Sequence, residues 1–284
     1  MLFSTPEGMI AQIKALPSAP HAMQRMLALL EDPNSSTEDL IELIRLERSL
    51  TARVVHMANS PVFGAGSCGS VEEAVQRLGY RVVHEAVLAA MAVASFSSAL
   101  RTYRLPANTL WRQALATACA AREIARRTDG APDAAYTLGL LHNIGMVAID
   151  RWVQQRDPTV QLLCAPWPDE WRTAETGLLG FDHADTTAAM LKAWKFPTEL
   201  VEAARYQFRP GAARAARRPA ACLRTAHWIR RMVCSEDLKG QLPDPEVLAL
   251  AGVESTGLVD VAQQVLHEVE TLWESLQLDH TQAA

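Results

Sequence analysis

The stretch from Asp133 to Ile149 reads DAAYTLGLLHNIGMVAI and places His142 directly before Asn143 in an apolar segment. The segment is long enough to form a buried helix. A His followed by Asp in such a helix is a metal-binding pair, because the imidazole nitrogen and the carboxylate oxygen can reach the same cation. Here an amide replaces the carboxylate, so the pair lacks the anion that bridges two divalent metals. The alternative is a buried polar pair whose hydrogen bonds join neighbouring helices.

The composition is that of a globular chain with a substantial core. Of the 284 residues, 49% are hydrophobic and 21% are charged, which suits one large domain or two closely joined ones. The five cysteines include no CxxC pair, so we expect reduced thiols and neither a disulfide framework nor a zinc knuckle. We find no signal-peptide pattern, and the most hydrophobic run, 86–96, is too short to cross a bilayer. We therefore expect a soluble cytoplasmic protein.

Helical periodicity dominates the chain, and no run of alternating β-branched residues with hairpin turns is present, so we predict an all-α fold. Ser70 and Glu73 form a capping box for a helix that ends before Gly79. Asn108 predicts the cap of a long helix. Further helices are predicted after Pro20 and over about 80–100, 109–127, 182–194, 220–234 and 255–276.

Several of these stretches together resemble the HDOD family, bacterial signalling modules derived from the HD phosphohydrolase fold. The stretches are LPSAP at 16–20, LTAR at 50–53, ANSPVFG at 58–64, SVEEA at 70–74, LGLLHNIG at 138–145 and GFDHA at 180–184. Their order and spacing cover roughly residues 10–210. The resemblance implies an all-α orthogonal multi-helix bundle of the HD-domain type. We expect an HDOD-type helical domain over 1–210, with C-terminal helices over 211–284 packed on the same bundle.

The resemblance also implies the place of a metal site, and there this chain departs from its catalytic relatives. Those relatives need His and Asp ligands from several helices, whereas this chain has amides at three of the corresponding positions. Too few ligands remain for a cation that generates a nucleophile. We therefore expect a vestigial cleft with no catalytic residue, metal or cofactor, formed by Gln113, His142, Asn143, His183 and Gln207. His227 has no ligand partner at metal-binding spacing and is given no role.

The arginine-rich segment, residues 203–235, carries eight arginines and no Asp or Glu, while 19 basic residues face 32 acidic ones elsewhere. Arginine grips phosphate and carboxylate well, so this segment is a candidate surface for a nucleotide, another anionic ligand or a partner protein. Alternatively, it neutralises acidic helices of the same molecule. The net charge of −5 argues against a general nucleic-acid role. The candidate contacts are Arg205, Arg209, Arg214, Arg217 and Arg218.

These observations favour a non-enzymatic bacterial signal-transduction module that acts through contacts with other signalling proteins. One alternative is a divergent metal-dependent phosphohydrolase or cyclic-dinucleotide phosphodiesterase that uses Asp182, Asp185 or Glu175 in place of the missing ligands. A second alternative is a nucleotide- or nucleic-acid-binding regulator that uses the arginine-rich segment. The proline- and tryptophan-bearing connection 164–168 is a further candidate for a partner contact.

Overall fold

The computed structural model describes residues 5–13, 29, 35–46, 48–60, 63, 67–162, 171–235 and 242–277. Within these ranges the regular structure is helical, apart from an isolated antiparallel bridge between Leu100 and Leu105. The all-α prediction is therefore confirmed. The predicted helix after Pro20 and the connection 164–168 lie outside the described residues.

The α-helices are numbered here in chain order. They are α1 (Pro6–Ile10), α2 (Thr37–Leu46), α3 (Arg48–Ala58), α4 (Val71–Leu78), α5 (Tyr80–Phe96), α6 (Thr109–Arg127), α7 (Pro132–Leu141), α8 (Ile144–Arg156), α9 (Arg172–Leu179), α10 (His183–Ala193), α11 (Thr198–Arg205), α12 (Arg217–Ser235), α13 (Pro245–Ala251) and α14 (Leu258–Gln277). Short 3-10 helices cover Pro210–Ala212 and Ser255–Gly257.

The chain falls into two compact units. One comprises residues 1–18 and 94–266, and the other comprises 19–93 and 267–284. All five residues of the expected cleft lie in the first unit. The domain boundary that we expect at residue 210 marks the end of the family resemblance, and it remains a prediction.

In the second unit, the predicted capping box begins α4. The Ser70 hydroxyl accepts a hydrogen bond from the Glu73 N–H at 3.2 Å. The Glu73 carboxylate accepts from the Gly69 N–H at 2.8 Å, one residue earlier than in the usual box. Gly79 follows the helix with φ +80°, a value that favours glycine. The local sequence signals therefore fix both ends of this helix.

In the first unit, α6 is buried along most of its length and packs against both α7 and α12. Its approach to α7 is close because Gly139 has no side chain: a Cβ there would lie 2.7 Å from the Ala118 Cα and 2.8 Å from the Thr117 carbonyl oxygen. The two helix backbones are thus in direct contact. This packing supports the end of α7, where His142 follows.

The start of α6 differs from the prediction. Asn108 has φ +64° and makes no side-chain capping hydrogen bond. Its backbone N–H instead donates to the Ser97 carbonyl oxygen at 3.0 Å, since α5 ends at Phe96 rather than continuing to Leu100. Asn108 is therefore a left-handed turn residue, a conformation that asparagine tolerates.

Candidate functional site

His142 and Asn143 lie in a turn between α7 and α8, so the prediction of one continuous buried helix is wrong. The His142 carbonyl oxygen accepts hydrogen bonds from the Thr187 hydroxyl at 3.0 Å and from the Gln207 amide at 3.1 Å. The same Thr187 hydroxyl accepts from the Gly145 N–H at 3.0 Å. Side chains from distant parts of the chain thus satisfy backbone groups of the turn.

Gly145 allows α10 to lie directly on this turn. A Cβ at Gly145 would clash with the His183 carbonyl oxygen and would lie 2.7 Å from the Thr187 backbone nitrogen. Both of these atoms belong to the first turns of α10. The absence of a side chain at Gly145 therefore brings the His183 end of α10 next to the His142–Asn143 turn.

The tautomer of His142 follows from its hydrogen bond to the chain. The His142 Nδ1 lies 2.6 Å from the Gly139 carbonyl oxygen, which can only accept, so Nδ1 carries a proton. In the neutral ring, Nε2 is then the acceptor. The Arg230 Nη1 lies 3.4 Å from this Nε2, and Arg230 is 1% exposed. A buried guanidinium thus faces the nitrogen that would otherwise bind a metal.

His183 belongs to a separate hydrogen-bonded network. Its Nδ1 donates to the Glu175 Oε2 at 2.7 Å, and its backbone N–H donates to the same oxygen at 2.8 Å. The Tyr103 hydroxyl donates to the Glu175 Oε1 at 2.7 Å. Burial alone would lower the pKa of His183, but the adjacent Glu175 carboxylate outweighs burial, and the pKa is raised. The two side chains therefore form a buried hydrogen-bonded pair, which is an ion pair when His183 is protonated.

His227 on α12 joins the cleft, although its sequence spacing predicted no role. Its ring lies 4.8 Å from the ring of His142 and 5.4 Å from that of Phe208, measured between centroids. The Phe208 ring in turn meets His183 edge-on at 5.4 Å. Burial, the Arg230 charge and His142 hold the pKa of His227 well below its usual range. The rings of His227 and Phe208 thus link His142 to His183, the two histidines that the sequence singled out.

The three amides of the expected cleft are all buried. The Gln207 amide nitrogen donates to the carbonyl oxygens of His142 and Ala204. The Asn143 side-chain oxygen and nitrogen, and the Gln113 side-chain oxygen, have no hydrogen-bond partner among the described residues. The structure joins Gln207 to His142 directly, and Gln113 lies on α6, outside the chain of ring contacts.

The carboxylates considered as replacement ligands are already engaged. Asp182 caps α10 through the N–H groups of residues 184 and 185, and it accepts a hydrogen bond from Arg172 at 2.6 Å. Asp185 lies 3.7 Å from Arg205 in an exposed ion pair. Glu175 binds His183 and Tyr103. Among the described residues, no three His, Cys, Asp or Glu side chains are arranged to hold a metal. With Arg230 against His142, these side chains do not fit a divalent cation.

The arginine-rich segment separates into exposed and buried parts. The five arginines named as candidate contacts are all exposed. Arg217 donates to the Ala213 carbonyl oxygen at 2.9 Å, and Arg218 lines a mainly apolar cavity of about 470 Å³ beside α6 and α7. Arg230, in contrast, is part of the cleft. A role of the exposed arginines in binding an anionic partner stays a prediction.

None of the helices within the described ranges combines the length and the apolar character needed to span a membrane.

Comparison with known proteins gives a family match over most of the chain. The HDOD domain matches residues 16–210. An uncharacterized protein from Treponema pallidum (strain Nichols) is 25% identical over 198 residues, which is 69% of this chain and 38% of that protein. The matched region thus covers well under half of the relative's length.

Solved structures share the fold over nearly the whole chain. An HDOD domain protein of unknown function from Geobacter sulfurreducens is 24% identical with a TM-score of 0.72, over 96% of this chain and 97% of that one. A protein from Shewanella amazonensis SB2B, named as a candidate phosphohydrolase, is 23% identical with a TM-score of 0.69, over 94% and 97% of the two chains. A candidate signal transduction protein from Marinobacter aquaeolei VT8 is 23% identical with a TM-score of 0.70, over 97% and 61%. At these identities the likeness concerns the fold, and it confirms the HD-type helical bundle.

Proposed function

Because this chain belongs to the HDOD family, we propose that it is a non-enzymatic signal-transduction module that acts through contacts with other proteins. Its HD cleft serves as a closed structural centre and no longer takes a catalytic metal. The observation that carries this proposal is the position of Arg230, whose Nη1 lies 3.4 Å from the His142 Nε2.

The guanidinium of Arg230 has the chemistry to exclude a divalent cation. Arginine stays protonated in proteins, and it donates hydrogen bonds but accepts none. At His142 it uses the lone pair that a metal needs and adds a positive charge that repels a second cation. The neighbouring Asn143 supplies an amide where catalytic relatives have a carboxylate, so no anion at this position offsets the charge of a metal. Arg230 and Asn143 thus both disfavour metal binding for the same electrostatic reason.

The test is metal retention together with turnover. The purified protein is incubated with manganese or iron(II), dialysed, analysed for bound metal and assayed with generic phosphodiesters. We expect no retained metal and no turnover. About one metal per chain, lost in His142→Ala and accompanied by phosphodiester cleavage, would instead make the chain a divergent hydrolase.

A double variant tests whether Arg230 and Asn143 together are the cause. Arg230→Met with Asn143→Asp removes the cation and restores the carboxylate, so this variant should retain more manganese than the unmodified chain. Arg209→Met is the matched control, because Arg209 is exposed and lies outside the cleft. Equal retention in all three proteins would remove Arg230 and Asn143 as the explanation.

A further inference from the structure

A cavity of about 530 Å³ opens beside His227 and is lined by one face of α12. Arg224, His227, Trp228 and Arg231 all line it, and their spacing of three, four and seven residues places them on the same side of a helix. The opposite wall comes from the segment that leads into α13, residues 242–245 with 247. A volume of this size suits a small organic molecule.

Among the described residues, the lining of this cavity has more basic than acidic side chains. Arg224 and Arg231 contribute two guanidinium groups, and Asp244 contributes one carboxylate. One oxygen of Asp244 already accepts a hydrogen bond from the Glu246 N–H at 2.9 Å. The cavity is therefore suited to an anion.

His227 provides a polar group that lacks a partner. The side chain is 1% exposed, and neither ring nitrogen has a hydrogen-bond partner among the described residues. Leaving a buried polar group without a hydrogen bond is costly, and such groups are rare in folded proteins. A ligand atom that reaches this end of the cavity would satisfy His227.

The rest of the lining suits a planar apolar group. The Trp228 indole lies one residue after His227, and Leu242 is an exposed large hydrophobic residue, 53% accessible, in the opposite wall. Aromatic rings stack on indole faces. Apolar area and positive charge thus occur together in one cavity.

We propose that this cavity binds a small molecule that carries a phosphate group and a planar ring. The phosphate lies between Arg224 and Arg231, the ring packs on Trp228, and His227 hydrogen-bonds to the ligand. The ring of His227 packs on His142 and Phe208. A ligand bound in the cavity is therefore connected through His227 to the vestigial cleft. This inference rests on the proposed function, since it supplies the input of a signalling module whose cleft is metal-free.

The test is calorimetric titration of the purified chain, in EDTA, with adenosine 5′-monophosphate, guanosine 5′-monophosphate and flavin mononucleotide. We expect at least one to bind, and Arg231→Gln to weaken it at least about tenfold, the usual effect of losing a charged hydrogen bond. Arg81→Gln is the matched control. It removes the same charge at an exposed position of α5 that belongs neither to the cavity lining nor to the arginine-rich segment, and it should bind like the unmodified chain.

Two further ligands separate the parts of the proposal. Adenosine lacks the phosphate and inorganic phosphate lacks the ring, so each should bind more weakly than the nucleotide that binds best. No binding by any of the three nucleotides at millimolar concentration would overturn the proposal. Equal binding by Arg231→Gln, or by adenosine, would overturn the assignment of the arginines, and equal binding by inorganic phosphate would overturn that of the ring.

Failure of this inference is distinguishable from failure of the proposed function. EDTA removes metal-dependent cleavage from the titration, and the nucleotide is recovered and analysed after incubation with manganese. Binding without cleavage supports both proposals. Cleavage overturns the non-enzymatic function and leaves the binding site in place, whereas absence of binding overturns only the site.

Discussion

Two buried histidines of the cleft have opposite electrostatic surroundings. His183 donates to the Glu175 carboxylate, and its pKa is raised, because this interaction outweighs burial. His227 is buried near Arg230 and His142, and its pKa is lowered. A pKa difference between the folded and unfolded states makes stability depend on pH. The contributions of the two residues to stability should therefore change in opposite directions as pH rises.

For His183, we predict a contribution to stability that is lost as pH rises. The folded chain holds the proton more tightly than the unfolded chain, whose histidine has a pKa near 6.5. The stabilisation is therefore fully present below pH 6.5 and disappears as pH rises through the raised folded pKa. The measurement is the free energy of unfolding in urea at several pH values, for the unmodified chain and for His183→Gln. The difference between the two should decrease with rising pH.

His227→Phe is the companion variant with the opposite expectation. Protonation of His227 is disfavoured in the folded chain, so its contribution is favourable above pH 6.5 and is lost as pH falls toward the lowered folded pKa. The stability of the unmodified chain relative to His227→Phe should therefore fall on acidification. The same pH trend in both variants would contradict the assigned surroundings of these histidines.

At the scale of helices, the contact between α10 and the turn before α8 depends on Gly145. We predict that Gly145→Ala destabilises the chain by about 1–3 kcal/mol, since the added methyl meets backbone atoms of α10 that cannot move independently. Gly177→Ala is the matched control: Gly177 lies within α9, and a Cβ there meets nothing within 4 Å.

The two substitutions should differ in sign. Replacing a helical glycine with alanine in open space stabilises by roughly 0.5–1 kcal/mol, so Gly177→Ala should raise the free energy of unfolding. Thermal and urea unfolding of both variants provide the measurement. If the Gly145→Ala chain were as stable as the unmodified chain, α10 would not pack directly against the turn.

Elements whose ends are set by neighbouring residues could be predicted from the sequence. The Ser70 cap of α4 and the end of that helix before Gly79 are of this kind, because all the groups involved lie within ten residues. The turn at His142 could not be predicted, because the donors to its carbonyl oxygen come from Thr187 and Gln207. Local periodicity carries no information about such distant donors.

The sequence predicted several residues of the candidate site but not the α12 residues that pack against His142. The family resemblance identified His142, His183 and Gln207, which the structure connects through hydrogen bonds and ring contacts. It did not identify His227 or Arg230, because neither lies at a ligand spacing from another candidate. The recurrence of Arg224, His227 and Arg231 on one side of α12 was the available signal for His227.

At the scale of the whole chain, three cysteines of the described residues are buried. Cys68, Cys119 and Cys222 form no disulfide. Burial raises the pKa of Cys222 to about 11, so the reactive thiolate is scarce at neutral pH. We predict slow reaction of these thiols with a disulfide reagent in the native chain and rapid reaction in denaturant.

The measurement is made on a Cys164→Ser variant, because Cys164 lies outside the described residues and its reaction would add to the signal of the buried thiols. Cys234, which is partly exposed, serves as an internal reference and can be removed in the same way. Reaction of Cys222 at the rate of a free thiol, without denaturant, would contradict its enclosure between α12 and α13.

The hydrogen bonds at the His142 carbonyl oxygen also bear on the order of folding. Their donors lie 45 and 65 residues further along the chain, so they form only after the loops between them have closed. Until then, the apolar stretch around His142 has the local preferences of one continuous helix. We therefore expect the separation of α7 from α8 to be a late event in folding, imposed on a helix-forming segment by parts of the chain that are synthesised after it.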